Sequence, residues 1–144
     1  MRRLSTGVLG DIYSCAFDIN NNGQIVGTAT ATNGAGHAFI YSNGQILDLG
    51  TLDNYSSQAN AINDVGQVVG STFDTYNGYN AFLYSNGQMQ KLNIPGCAND
   101  INDIGQVVGW LITANGKIHA YLYSSGHIHD LGTFGGTTSS AISV

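Results

Sequence analysis

Gly23-Gln24-Ile25-Val26-Gly27 returns as Gly66-Gln67-Val68-Val69-Gly70 and again as Gly105-Gln106-Val107-Val108-Gly109, at steps of 43 and 39 residues. A second stretch keeps the same steps: His37-Ala38-Phe39-Ile40-Tyr41-Ser42-Asn43-Gly44, Asn80-Ala81-Phe82-Leu83-Tyr84-Ser85-Asn86-Gly87 and His119-Ala120-Tyr121-Leu122-Tyr123-Ser124-Ser125-Gly126. Two anchors in phase mean one supersecondary unit copied three times, and a period of about 40 residues belongs to stacked or ring-closed architectures. The units run about 13–54, 55–95 and 96–136 of a single repeat domain, 1–144, with partial repeat ends at 1–12 and 137–144.

Each unit reads as two hairpins. The first strand is Ala16-Phe17-Asp18-Ile19, Ala59-Asn60-Ala61-Ile62 or Ala98-Asn99-Asp100-Ile101. A turn ending in glycine follows, and the second strand starts at the Gln. Asn33-Gly34, Asn77-Gly78 and Asn115-Gly116 mark the next turns, because Asn and Gly both tolerate positive φ. The third strand is the Ala-Phe-Ile-Tyr segment. A last Asn-Gly or Ser-Gly turn leads to Ile46-Leu47-Asp48-Leu49, Met89-Gln90-Lys91-Leu92 or Ile128-His129-Asp130-Leu131. Adjacent apolar residues such as Ile40 and Tyr41 point to opposite faces of a strand, so strands two and three are expected to be covered on both sides. That favours small four-stranded antiparallel sheets packed face to face around an axis, as propeller blades are. A β-trefoil or β-prism monomer is the alternative. Three blades cannot close a propeller, so a dimer forming a six-bladed ring is expected.

Composition agrees with an all-β chain. Only 9% of the 144 residues are charged, with nine Asp, no Glu and four bases (Arg2, Arg3, Lys91, Lys117). Good helix formers are scarce and turn residues abundant. A net charge of −5 with dispersed bases offers no footprint for nucleic acid. No apolar run reaches the ~18 residues of a membrane span. No signal peptide is visible after Met1-Arg2-Arg3, where repeat-like sequence follows at once. Leu4 and Gly7-Val8-Leu9 align with Leu47 and Gly50-Thr51-Leu52, and Ala141-Ile142-Ser143 aligns with Ala61-Ile62-Asn63, so unfinished units flank the three whole ones. Cys15 and Cys97 share one repeat position, with Gln58 between them, and read as small buried residues.

These residues resemble the HAF repeat, whose pattern pairs Ala-x-x-Ile-Asn-x-x-Gly-Gln-Val-Val-Gly with His-Ala-Phe and Asp-Leu-Gly-Thr-Leu-Gly-Gly. The chain shows His37-Ala38-Phe39 and Asp48-Leu49-Gly50-Thr51-Leu52, then His119-Ala120-Tyr121 and Asp130-Leu131-Gly132-Thr133-Phe134-Gly135-Gly136. The middle unit departs, with Asn80 for the His and Lys91-Leu92-Asn93-Ile94-Pro95-Gly96 for the closing motif. The resemblance implies β-propeller-like units and an extracellular or cell-surface setting, and no activity.

The candidate chemistry is thin. His37 and His119 read as structural residues at a strand start, their rings bonding to backbone. His127-x-His129 has a zinc-like spacing but lacks a third ligand. Asp18-x-Asn20-x-Asn22-Gly23 opens like a calcium loop, yet the position of the bidentate acid is Ala29, so a β-turn is the better reading. No cofactor or metal is called for. The chain has no Gly-x-Ser-x-Gly elbow and reads as a non-enzyme, a glycoside hydrolase built on two Asp being the remote alternative.

Binding remains. Loops on a rigid scaffold carry it, and the repeats diverge at Tyr55, at Asp74, Tyr76 and Tyr79, and at Trp110. Aromatic rings cover the C–H faces of sugars while carboxylates and amides bond hydroxyls. The expectation is a non-enzymatic module for assembly or protein interaction, a homodimer or higher homo-oligomer. A carbohydrate-binding module is the alternative, and a glycan or a surface protein is the expected outside partner.

Overall fold

The computed structural model describes residues 9–52 and 55–144, with side chains from Tyr13 onward. The partial repeat read in residues 1–8, and Asp53 and Asn54, lie outside the described residues. Twelve strands and no helix are found among the residues described. Sheet one holds β1 (Leu9–Ile19), β2 (Ile25–Ala31), β3 (Gly36–Ser42) and β4 (Gln45–Gly50). Sheet two holds β5 (Ser56–Ile62), β6 (Val68–Asp74), β7 (Gly78–Ser85) and β8 (Gln88–Lys91). Sheet three holds β9 (Gly96–Ile101), β10 (Val107–Ile112), β11 (Ile118–Ser124) and β12 (His127–Gly132). In every sheet the order is that of the sequence and all pairs are antiparallel, so each unit is one self-contained meander.

The turns follow from residue type. At Asn43-Gly44, Asn86-Gly87 and Ser125-Gly126 both residues have positive φ, the backbone that matches the twist of a two-residue hairpin. At Asn33-Gly34 only the glycine does. Gly34 N–H donates to Ala31 O and Ala31 N–H to Ala35 O, so this is a longer turn closed by a left-handed glycine. The first strands begin well before the Ala-x-x-Ile segment that marks them in sequence, because their polar leading ends still pair with the second strand.

The repeated Val-Val-Gly owes its glycine to a bulge. Ala16 pairs with Gly27 and Asp18 with Val26, so Phe17 is skipped; Asn60 and Asn99 are skipped likewise. The bulge presses strand one onto strand two. A Cβ on Gly27, Gly70 or Gly109 would lie 1.9 Å from the carbonyl oxygen of Cys15, Gln58 or Cys97. Only glycine fits there.

The sheets pack in sequence: β5 lies on β1, β2 and β3, and β9 on β5, β6 and β7. Val26, Ala38, Ile40, Ala59, Ile62, Val68 and Phe82 fill the first interface. Ala61, Val69, Ala81, Ile94, Ile101, Val107 and Tyr121 are among those filling the second. Burial on both faces holds for β6, where only Phe73 is exposed; it is weaker in β2, where Ile25, Thr28 and Thr30 are half-buried, and fails at the end of β10, where Ile112 is exposed.

A ladder of turns ties the units at one end. Asn20 Nδ2 donates to Asn63 O at 3.0 Å, and Asn63 Nδ2 to Asn102 O at 3.0 Å. Asn21 N–H donates to Asp64 Oδ1 and Asp64 N–H to Asp103 Oδ1, both at 2.9 Å. The bond from the Asn21 amide holds the Asp64 carboxyl below the usual aspartate range. Asp18 of the calcium-like segment accepts from Ile62 N–H at 2.9 Å, so its carboxylate links two units.

Candidate functional site

At the other end of the first strands lies a cleft of about 520 Å³. One side is aromatic. The Phe73 and Tyr79 rings are 5.0 Å apart and tilted, and Tyr79 meets Trp110 edge-on at 5.6 Å. The polar side comes from Thr28, Ser56, Gln58 and Ser71, and Tyr13 borders the opening. Phe73, Tyr79 and Tyr13 are all substantially exposed. Edge-on and tilted contacts leave ring faces free, and free ring faces beside hydroxyls and an amide suit a flat polyhydroxylated ligand.

The five residues singled out in the sequence do not form one site. Tyr79 and Trp110 share this cleft. Tyr55 and Asp74 line a separate pocket of about 310 Å³ with Thr72, Asn77, Asn80 and Lys91. Tyr76 stands alone at the tip of the β6–β7 hairpin, fully in solvent. Asp74 is buried, and its carboxylate serves that hairpin: it accepts from Tyr76 N–H at 2.8 Å and from the Asn77 amide. Sequence reasoning missed Tyr13 and Phe73. Phe73 was legible, since it sits two residues from the hairpin turn, opposite Tyr79 in the ladder.

The histidines have side-chain partners, not the backbone partners expected. His37 Nδ1 lies 2.9 Å from Asp48 Oδ2, and His119 Nδ1 2.9 Å from Asp130 Oδ1. Asp130 also accepts from Gly132 N–H at 2.7 Å. The His119 bond, and then the Gly132 bond, hold the Asp130 carboxyl below its ordinary value. In the middle unit Asn80 and Lys91 replace both partners together, and that joint change was the available signal. His127 Nδ1 bonds Ser125 O at 2.9 Å and its strand is exposed. Among the described residues no group of three His, Cys or Asp is placed to hold a metal ion.

Cys15 and Cys97 are both free thiols. Cys97 is buried beside Asn60, whose amide lies 3.1 Å from the sulfur, while Cys15 is half-buried. Burial pushes the Cys97 thiol up, so it stays protonated and unreactive at neutral pH. Tyr121 is fully buried where the other units have Phe39 and Phe82, and its hydroxyl has no hydrogen-bond partner. Burial raises its pKa well above that of a free tyrosine.

The first strands carry a second kind of site. On β5, Ser57, Ala59 and Ile62 are 3%, 0% and 5% exposed because sheet one covers them. Ser57 Oγ accepts from Ala38 N–H at 2.8 Å and donates to Gly50 O at 2.5 Å. The same register positions on β1 are Ser14, Ala16 and Ile19. All three are exposed, Ile19 by 61%. Phe17 and Tyr13 beside them are exposed as well. No family model matches the chain, and no curated protein matches it either.

Proposed function

We propose that the chain is a non-enzymatic repeat module that works by assembly, binding a further copy or another repeat protein through the open face of β1. The observation that carries this is the contrast between two first strands of one design: Ser57, Ala59 and Ile62 on β5 are buried, and Ser14, Ala16 and Ile19 on β1 are not. Each meander forms all its strand pairs within its own unit, as a propeller blade does, and such sheets stack through their faces. Two chains joined this way make six sheets, enough to close a ring. The resemblance to HAF repeats supports a surface or secreted setting for such a module.

Replacing Ile19 with Asp tests this reading. Burying that side chain contributes about 1–2 kcal/mol, and a buried unpaired carboxylate opposes docking further. Sedimentation equilibrium is expected to show reversible self-association that Ile19→Asp abolishes while the monomer stays folded. Association untouched by Ile19→Asp would refute it, and no association at high concentration would rule out a further copy as the partner.

A second reading, carbohydrate binding, is favoured by the Phe73–Tyr79–Trp110 ridge facing Ser and Thr hydroxyls. A glycan array separates it. Binding lost in Trp110→Ala supports it, and an empty array removes it.

A further inference from the structure

Residues 137–144 lie on sheet three as β5 lies on sheet one. Ser139 Oγ accepts from Ala120 N–H at 2.8 Å and donates to Gly132 O at 2.5 Å, the two bonds that Ser57 makes to Ala38 and Gly50, at the same two lengths. Asn99 Nδ2 donates to Ala141 O at 2.8 Å, as Asn60 Nδ2 does to Ala98 O at 2.8 Å. Asp100 Oδ2 accepts from Val144 N–H at 2.8 Å, as Asp18 Oδ2 does from Ile62 N–H at 2.9 Å. Ala141 N–H adds a bond to Gly109 O at 3.2 Å, and Ser139 N–H one to Ile118 O at 3.0 Å. These bonds set Ser139-x-Ala141-x-x-Val144 against Ser57-x-Ala59-x-x-Ile62, two residues away from the alignment of Ala141 with Ala61 that sequence suggests.

Residues 139–144 therefore dock on sheet three as the first strand β5 docks on sheet one. This tail is held loosely by comparison: Ser139 and Ala141 are half-buried and Val144 is exposed, where Ser57, Ala59 and Ile62 are buried. Among the described residues its one ladder-type pairing with the strands is an isolated parallel bridge, Ile118 to Thr138. Ser14-x-Ala16-x-x-Ile19 on β1 is a third copy of the same segment, bulged at the same place as β5 and with no sheet covering it among the described residues.

We propose that the tail is an intramolecular competitor for the site on sheet three that the β1 of a second copy takes during assembly. This rests on the assembly reading above. In the exchange Ser14 of the second copy takes the Ala120 N–H and Gly132 O bonds from Ser139, Ala16 replaces Ala141, and Ile19 replaces the smaller Val144. One contact favours the tail: Ser143 Oγ donates to Asp100 Oδ2 at 2.9 Å, whereas β1 carries Asp18 at that register position and brings no donor. The tail is thus the resting occupant, always present at the effective concentration of a tethered segment. β1 displaces it only once protein concentration compensates for the small fraction of tail-open molecules.

The test uses the full chain with Ser139→Gly and Ala141→Pro together, which remove the hydroxyl bonds and the Ala141 N–H without touching a strand. Fast amide exchange at Val144, whose N–H bonds Asp100 in the docked tail, verifies in the dilute monomer that the tail has left. Sedimentation equilibrium is then expected to show association at about tenfold lower concentration than the parent, with Ala120 protected again in the assembly and the gain erased by adding Ile19→Asp. If the tail-released chain associates no more tightly, while Ile19→Asp still weakens the parent, the competitor role is wrong and the assembly reading stands. If Ile19→Asp changes nothing in either background, both are wrong.

Discussion

β5 and β1 are the same segment in two situations. Both carry Ser-x-Ala-x-x-Ile, both are bulged at the residue after the alanine, and both lead into an Asn-turn and a second strand whose third residue is a forced glycine. β5 buries its small residues under sheet one; β1 leaves the equivalent ones in water. The local sequence therefore fixes the strand and its bulge, and the neighbouring sheet alone fixes whether its face is core or surface.

The comparison is broken most severely at the bulge. Gly70→Ala drives a Cβ to 1.9 Å from Gln58 O and to 2.9 Å from the Phe82 ring, inside a sheet covered on both faces. It is expected to cost more than about 4 kcal/mol, enough to prevent folding, whereas Gly27→Ala costs less because sheet one can relax on its open side. Urea denaturation of the two variants checks the order, and equal losses would mean that the end sheet is as rigid as the middle one.

Tyr121→Phe sharpens the comparison in the opposite direction. It gives unit three the Phe of the other two and removes a buried hydroxyl without a partner, so stability is expected to rise by about 1 kcal/mol. A loss on urea denaturation would reveal a bond to that hydroxyl.

Acid produces the smallest effect. The Asp64 and Asp130 carboxyls both lie below the ordinary aspartate value of 3.8, through Asn21 and through His119 respectively. A depressed folded pKa contributes stability that is complete above 3.8 and is lost as pH falls through the lower folded value. Asp130 is exposed and Asp64 half-buried at the surface, so the slope is shallow. Asp64→Asn is expected to flatten the melting temperature below pH 4 and leave it unchanged at pH 7; an unflattened curve would show that the turn ladder carries no linkage.

Much of the fold was legible because it is local. The Asn-Gly and Ser-Gly turns and the period of the anchors define the three meanders without reference to distant residues. What stayed hidden depends on strands meeting, within one unit or between two. The glycine of Val-Val-Gly reads as a repeat marker until the bulged strand is laid against it. The partners of His37 and His119 sit 11 residues on, across a hairpin, visible only through the joint swap to Asn80 and Lys91. Of the candidate binding residues, Tyr79 and Trp110 meet because sheets two and three pack, whereas Asp74 and Tyr76, close to Tyr79 in sequence, are turned elsewhere by the β6–β7 hairpin, Asp74 into the pocket that Tyr55 also lines. The bonds of Ser57 to sheet one had no local sign, since one serine in a strand is unremarkable until Ser139 is seen to make the same two bonds to sheet three.

The most direct measurement places a photo-reactive residue at position 14 of the full chain and sequences the cross-linked peptides from the dimer-sized product. Docking of β1 on sheet three predicts partners within 118–132 of the second copy, around Ala120 and Gly132. A dimer cross-linked at any other surface, or product confined to single chains at high concentration, would contradict it.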